Sequence, residues 1–369
     1  MDNTPTLLEG GREAFPAILE AIEGAKRSIE IHMFIWRDDT IGNRMAEAVL
    51  SAADRGVSVS IVKDRYGVVL EKAEETRLSF FHKRQTPIER IKSRALCALY
   101  AKEAGGWRAD RESELYRRLV DHPNIKLSCP FLADHSKYYL IDGKTLFLGG
   151  VNIEDKEAGC DLRGRQYGDY MVRLSGRGYV DAFLAARRGE ETPDGILFPH
   201  NCKKTGHFGM EEHYLSLIRE AEHELLIVMA YLSPLPAFHR EILAAAERGV
   251  RVTVMIPAEA NFQNDTNRLA AARLFAKSGG RVTVLLSPKM LHTKLIMTEK
   301  VISLGSTNIT KKAFRQLDEL NLALANTDDP LPTAIKESLR RELEAARRVE
   351  SPRDITYRRL LAFFEGFLV

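Results

Sequence analysis

His135-Ser-Lys137-Tyr-Tyr-Leu-Ile-Asp142-Gly-Lys-Thr-Leu-Phe-Leu-Gly149-Gly150-Val-Asn152 decides the reading of this chain. The same order of residue types returns at His292-Thr-Lys294-Leu-Ile-Met-Thr-Glu299-Lys-Val-Ile-Ser-Leu-Gly305-Ser306-Thr-Asn308. Side chains alternate along a strand, so a His-x-Lys pair in one would share a face. The apolar runs Tyr138 to Ile141 and Thr145 to Leu148 read as two short strands, with Asp142-Gly143 as the turn between them. Such a hairpin carries Gly149, Gly150 and Asn152 back to His135. Glycine admits close backbone approach and an asparagine amide both donates and accepts, so the set suits an anion. A single His-x-Lys is an ordinary strand fragment; two copies, each with its asparagine, carry the catalytic reading.

Outward from the motifs, the chain repeats itself. Phe15, Ile18, Leu19 and Ile22 recur at helical spacing, and Ile29, Ile31, Met33 and Ile35 alternate as a strand. A helix over Met45 to Arg55 ends at Gly56, and Val57 to Val62 form another strand. The later half offers Tyr214, Leu217, Ile218 and Ala221 on a helix, Leu225 to Met229 on a strand and Ile242 to Arg248 on a helix stopped by Gly249. Val250 to Ile256 form the strand that follows. Arg55-Gly56-Val57 and Arg248-Gly249-Val250 thus stand in equivalent places. A repeat of this length predicts an α/β protein of two similar lobes, 1–188 and 210–369, joined by a connecting segment over 189–209.

The pattern HxKxxxxD followed by GGxN or GSxN resembles the signature of the phospholipase D superfamily. Phe34-Ile35-Trp36-Arg37-Asp38-Asp39-Thr40-Ile41-Gly42 and Tyr231-Leu-Ser-Pro234 resemble the corresponding pieces of bacterial cardiolipin synthases. The resemblance covers most of the chain but not residues 68–120. It implies two lobes, each a mixed sheet flanked by helices, related by a pseudo-twofold axis and sharing one active-site cleft. It implies His135 and His292 as the catalytic pair acting through a phosphohistidine, with His135 as nucleophile. Lys137, Lys294, Asn152 and Asn308 would hold the phosphate oxygens, with Gly149, Gly150, Gly305 and Ser306 in its vicinity. An acid downstream of each motif, Asp169 and Glu319, would orient a histidine, with Asp318 an alternative for the second. The acids inside the motifs, Asp142 and Glu299, would be structural groups near the turn. The second copy departs from the pattern, with Glu299 in place of aspartate and one residue fewer before Gly305, which predicts a shorter hairpin.

Composition narrows the rest. Hydrophobic residues make up 44% and charged residues 28% of 369, which excludes disorder and fibrous repeats. The net charge of +3 neither demands nor forbids an anionic partner. No apolar run approaches the length of a membrane span, and Cys97, Cys129, Cys160 and Cys202 form no CxxC pair, so the expected address is cytoplasmic, with peripheral contact at the inner face of the membrane. His200, Cys202, His207 and His213 fit no structural zinc spacing. The expectation is no metal, no cofactor and no partner protein needed to complete the site. Residues 68–120 read as a charged helical insertion, two or three helices broken near Pro87 and Gly105-Gly106, either solvated or acting as a lid. The C-terminal stripe Tyr357, Leu360, Leu361, Phe364 and Leu368 suits either a membrane interface or the protein's own core.

The expected activity is metal-independent phosphatidyl transfer from one phospholipid to the hydroxyl of phosphatidylglycerol, as in cardiolipin synthases. A phospholipase D that uses water, a nuclease, and a catalytically silent membrane- or nucleic-acid-binding protein are the alternatives. The absence of a concentrated basic tract with interleaved aromatics weighs against nucleic acid.

Overall fold

The computed structural model describes residues 4–73, 79–81, 86–100, 113–188, 190 and 196–368. The chain divides into two compact units, the first built on residues 8–167 and 171–180, the second on 4–7, 168–170 and 181–369.

In the first unit the six central strands are β1 (Ser28–Met33), β2 (Ser58–Lys63), β3 (Ile125–Ser128), β4 (Tyr138–Ile141), β5 (Thr145–Gly149) and β6 (Tyr170–Ser175), with a short strand Thr6–Glu9 at the edge beside β6. They lie in the order β6-β5-β4-β1-β2-β3. β1, β2 and β3 run parallel, while β1 to β4, β4 to β5 and β5 to β6 are antiparallel. The second unit has β7 (Glu224–Met229), β8 (Arg251–Pro257), β9 (Thr283–Ser287), β10 (Lys294–Thr298), β11 (Val301–Gly305) and β12 (Glu319–Ala325). Their order is β12-β11-β10-β7-β8-β9, with the same pattern of directions. Each sheet is therefore mixed, and each motif forms the hairpin beside the central parallel strands.

Helices cover the sheets through the positions that the periodicity marks. Helix Gly10–Gly24 buries Phe15, Ile18 and Ile22, and helix Met210–Glu220 buries Tyr214, Leu217 and Ile218. They pack on Ile29, Ile31 and Ile61 in one core and on Leu225, Ile227 and Val254 in the other. The Arg-Gly-Val triplets do the same work twice. Gly56 and Gly249 adopt φ of 91° and 92°, a left-handed turn that a Cβ would oppose. Arg55 donates to the carbonyls of Ile22 and Glu23 at 3.1 and 2.8 Å, and Arg248 to those of Ile218 and Arg219 at 3.2 and 3.0 Å. Each arginine thus donates to carbonyls in the last turn of the preceding helix, where the i→i+4 donors run out.

Three segments differ from the sequence expectation. The connecting segment 189–209 contributes strands at Ile196–Leu197 and His200–Cys202, both paired with β12. Its donors and acceptors extend the sheet, which a reading of scattered polar residues does not foresee. In the 68–120 region the helices are Tyr66–Ala73, Pro87–Tyr100 and Glu114–Asp121; the break expected at Gly105-Gly106 lies outside the described residues. The first of these helices is buried rather than solvated. Glu71, fully buried, pairs with the equally buried Lys63 at 3.1 Å and accepts from the Trp36 N–H at 2.8 Å, which explains an interior charge. Phe80 and Phe81 close on the Trp36 ring at 5.9 and 4.9 Å. Finally, the C-terminal stripe is helix Arg359–Leu368, docked on helix Asn264–Lys277: Thr266 N–H donates to Glu365 Oε2 at 2.8 Å, and its hydroxyl to Ala362 O at 3.0 Å. Ala362 and Glu365 face inward, Leu361 and Tyr357 are half-buried, and Leu360 and Phe364 are exposed. The side chain of Leu368 lies outside the described residues. Polar bonds fix the rotation of this helix, so its apolar stripe is divided between protein and surface.

Candidate active site

In the second unit His292 and Thr293 stand just ahead of β10, and Lys294 opens it. The His-x-Lys spacing thus works in an extended lead-in rather than inside the strand. The histidine carbonyl accepts from the Lys294 ammonium, and the His292 N–H donates to Gly168 O at 2.7 Å. The next residue, Asp169, accepts from His292 Nδ1 at 2.8 Å through Oδ2 and from the Tyr170 N–H at 2.8 Å through Oδ1. Lys294 Nζ lies 3.4 Å from the same Oδ2. Burial works to raise the Asp169 carboxyl, but the Lys294 charge and the His292 hydrogen bond outweigh it and hold it below the ordinary carboxylate value. A carboxylate on Nδ1 keeps the proton there, so Nε2 is the nitrogen presented for chemistry. The acid that follows the first motif therefore serves the histidine of the second, an exchange that spacing along the chain does not reveal.

Asn308 accepts the Tyr231 N–H on Oδ1 at 3.2 Å, which orients its amide with the NH2 as the remaining donor. Beneath it lies a buried polar network. Tyr214 donates its hydroxyl to Thr307 O at 2.9 Å, Asn321 Nδ2 donates to that hydroxyl at 2.9 Å, and Asn267 bonds both Leu232 N–H and Ala230 O. Ser306 hydrogen-bonds the Glu319 carboxylate and accepts the Leu320 N–H at 3.0 Å. Gly305 lies against β12, where a Cβ would come within 2.4 Å of Leu320 O, so its smallness has a packing cause. Asp318, the alternative second acid, accepts the Lys203 N–H at 2.5 Å.

In the first unit the fold-back of the lysine onto the histidine carbonyl recurs. His135 to Lys137 precede β4, and Lys137 Nζ donates to His135 O at 2.6 Å while lying 5.5 Å over the Phe34 ring. Phe34 meets the His135 imidazole edge-on at 4.7 Å. The lead-in is held by Asp64, which accepts the N–H groups of Leu132 and Asp134 at 3.2 and 2.8 Å; burial pushes its carboxyl up to about 7. Asp134 in turn accepts from Ser136, and His32 closes the group at 3.0 Å from the Ser136 hydroxyl. Gly149 N–H returns to Lys137 O at 3.3 Å. Asn152 is buried, its Nδ2 at 3.5 Å from Glu157 Oε1. Ile153, the residue after Asn152, bridges Trp36, and Ile309, the residue after Asn308, bridges Leu232. The two stretches that resemble cardiolipin synthases thus anchor the two asparagines.

The in-motif acids sit away from the histidines, at the turns. Asp142 accepts the N–H groups of Lys26, Arg27 and Ser28 at 2.9, 2.7 and 3.0 Å, and Glu299 those of Glu222, His223 and Glu224 at 3.1, 3.3 and 3.1 Å. Burial works against both, yet the backbone donors prevail, holding Asp142 low and Glu299 at about 2. Asp142 and Gly143 take φ of 53° and 62°, as a primed hairpin turn requires, whereas Glu299-Lys300 makes the shorter connection. Tyr139 and Phe147 are core. Of the scattered histidines, His213 bonds Ser303 at 3.0 Å with burial pulling it to about 4, and His200 turns to Phe198 O.

Sequence reasoning missed Asp64, Asp134, Glu71, Asn267 and Asn321, and read Tyr214 only as a helix position. Asp64, Asp134, Glu71 and Asn267 stand among other polar or charged residues, where nothing local marks the buried one, and Asn321 is a single polar residue in an apolar run.

A family model described as "Cardiolipin synthase, PLD-like domain" matches residues 18–163 and 214–346. The chain belongs to this phospholipase D-like family. Among curated relatives, cardiolipin synthase A of Pseudomonas entomophila (strain L48) is 26% identical over 96% of this chain and 71% of its own length. Cardiolipin synthase B of Shigella flexneri is 27% identical over 87% of this chain and 74% of its own. The crystal structure of phosphatidylserine synthase from Haemophilus influenzae Rd KW20 superimposes with a TM-score of 0.71 at 12% identity, covering 99% of this chain and 92% of that one, a likeness of fold. Family membership makes the chain a phosphodiester-transferring enzyme of the phospholipase D superfamily.

Proposed function

We propose that the chain transfers a phosphatidyl group from one phospholipid to the hydroxyl of phosphatidylglycerol through a phosphohistidine. The observation that carries this reading is the His292 half-site, an imidazole with one nitrogen on a buried carboxylate and a lysine ammonium beside both. The names of the curated relatives supply the substrate class.

In the proposed reaction His135 attacks phosphorus in line, an N–P bond forms, and the P–O bond to the departing alcohol breaks. His292, protonated on Nε2 and steadied by Asp169, gives that proton to the departing oxygen. An incoming hydroxyl then returns a proton to His292 as its oxygen bonds phosphorus and the N–P bond breaks. Lys137, Lys294, Asn152 and Asn308 are assigned to the non-bridging oxygens, where fixed positive charge and amide donors meet the charge that develops in the transition state. Glu319, held by Ser306, is assigned as the second positioning acid, and Asp142 and Glu299 as pins of the two hairpins. The domain reading assigns one half of the site to each repeat, 1–188 and 210–369, and the work takes place at a bilayer surface. Among the described residues no helix is long and apolar enough to cross a membrane.

Acid-labile phosphoryl label trapped on the protein during turnover tests the covalent step. The expected site is His135, with the label accumulating in a His292→Ala variant. Label on His292 would reverse the two roles, and no label on either histidine would refute a covalent intermediate.

A further inference from the structure

Helix Arg359–Leu368 does not close onto the second unit along its whole face. Between it, helix Asn264–Lys277 and the turn after Asn308 lies a cavity of about 810 Å³. One part of its wall is cationic, with Arg273, Lys311, Lys312 and Arg359, and among the described lining residues there is no carboxylate. The other part is apolar, including Leu235, Leu269 and Phe363. Two acids on the helices that border it are occupied: Asp265 pairs with Arg358 at 2.9 Å, and Glu365 accepts the Thr266 N–H. Burial pulls the Lys312 ammonium down to about 8, a cost that a bound phosphate would offset.

Beside this cavity the same helix shows solvent its largest side chains. Leu360 is 78% exposed, Phe363 60% and Phe364 55%, with the two phenyl rings edge-on at 5.8 Å. Single exposed hydrophobics are ordinary, but three within five residues on a helix already held by polar bonds are a patch. A concave site that joins clustered cations to apolar walls, with an aromatic patch at its edge, matches an anionic amphiphile better than a free anion, which would leave the apolar half unused.

We propose that this cavity binds the anionic headgroup of a bilayer phospholipid while Leu360, Phe363 and Phe364 enter the membrane interface. The helix then serves as a lipid-reading foot, separate from the histidines, whose position on the surface is set by Thr266 and Glu365. Each basic group near an anionic surface contributes about 1 kcal/mol, so reversing two of them is expected to weaken binding at least about tenfold.

The test is cosedimentation of the full chain with phosphatidylcholine vesicles, with and without phosphatidylglycerol. Two double variants are compared with wild type: Arg273→Glu with Arg359→Glu for the cationic wall, and Leu360→Ser with Phe364→Ser for the exposed patch. Wild type is expected to bind the phosphatidylglycerol vesicles and to bind pure phosphatidylcholine at least about tenfold less, and each double variant to lose the preference or the binding. Both variants are expected to keep wild-type melting temperatures, since all four positions are exposed. Equal binding of wild type to both vesicles, or wild-type binding by either variant, would overturn the proposal. So would loss of single-stranded oligonucleotide binding in the cationic-wall variant with vesicle binding intact. The inference does not depend on the reaction: vesicle binding without lipid turnover would refute the proposed function and leave this site standing.

Discussion

At the residue scale the most informative contact is Asp169 on His292. An aspartate buried between an imidazole and an ammonium remains ionised because its neighbours compensate its desolvation. Asp169→Asn preserves shape but removes the acceptor that keeps the Nδ1 proton in place. Turnover is expected to fall by about 10² to 10⁴, with the chain still folded, as happens when such an orienting carboxylate is lost. The kcat-against-pH profile checks the role: a positioning acid shifts its acid limb, whereas a purely structural change scales the whole curve. The type of this residue was legible in the sequence, because a histidine that does acid-base work needs a partner. Which histidine it would serve was not, since strand order rather than chain order brings Gly168 and Asp169 to His292.

At the element scale each hairpin is pinned at its turn and closed at its glycine. Glu299 carries a carboxyl at about 2 against an ordinary 4.5, so the stability it contributes is complete above pH 4.5 and is lost as the pH falls toward 2. The difference in melting temperature between wild type and Glu299→Gln should therefore shrink over that interval; a constant difference would deny the carboxylate its part. Gly305→Ala would drive a methyl to 2.4 Å from Leu320 O and 2.5 Å from Asn321 Oδ1. Overpacking of this kind costs about 1–3 kcal/mol, and the denaturant midpoint should fall accordingly. These elements were the most legible part of the chain. The apolar runs Tyr138 to Ile141 and Thr145 to Leu148, the Arg-Gly-Val stops and the short Glu299-Lys300 turn are local features, and local sterics express them directly. The lead-in conformation of His135 and His292 was not legible, because it depends on a lysine folding back on the histidine carbonyl. Nor was the buried start of residues 68–120, where Glu71 reads as a solvated charge until Lys63 and the Trp36 N–H are placed beside it.

At the scale of the whole molecule one topology is written twice in a single chain. Both sheets share strand order and direction, both arginines cap the preceding helix, and the residue after each asparagine bridges the segment after the first strand. In the proposed reaction neither histidine suffices alone, so His135→Ala and His292→Ala should each abolish turnover rather than halve it. The central claim is that two such half-sites pass a phosphatidyl group to a lipid alcohol without a metal. Its most direct test is to incubate the purified protein with phosphatidylglycerol vesicles and a chelator and to resolve the lipid products. Cardiolipin and glycerol, absent in both histidine variants, are the expected result. Phosphatidic acid alone would make water the acceptor, and no lipid product in the chelator, or full activity in either variant, would contradict the claim.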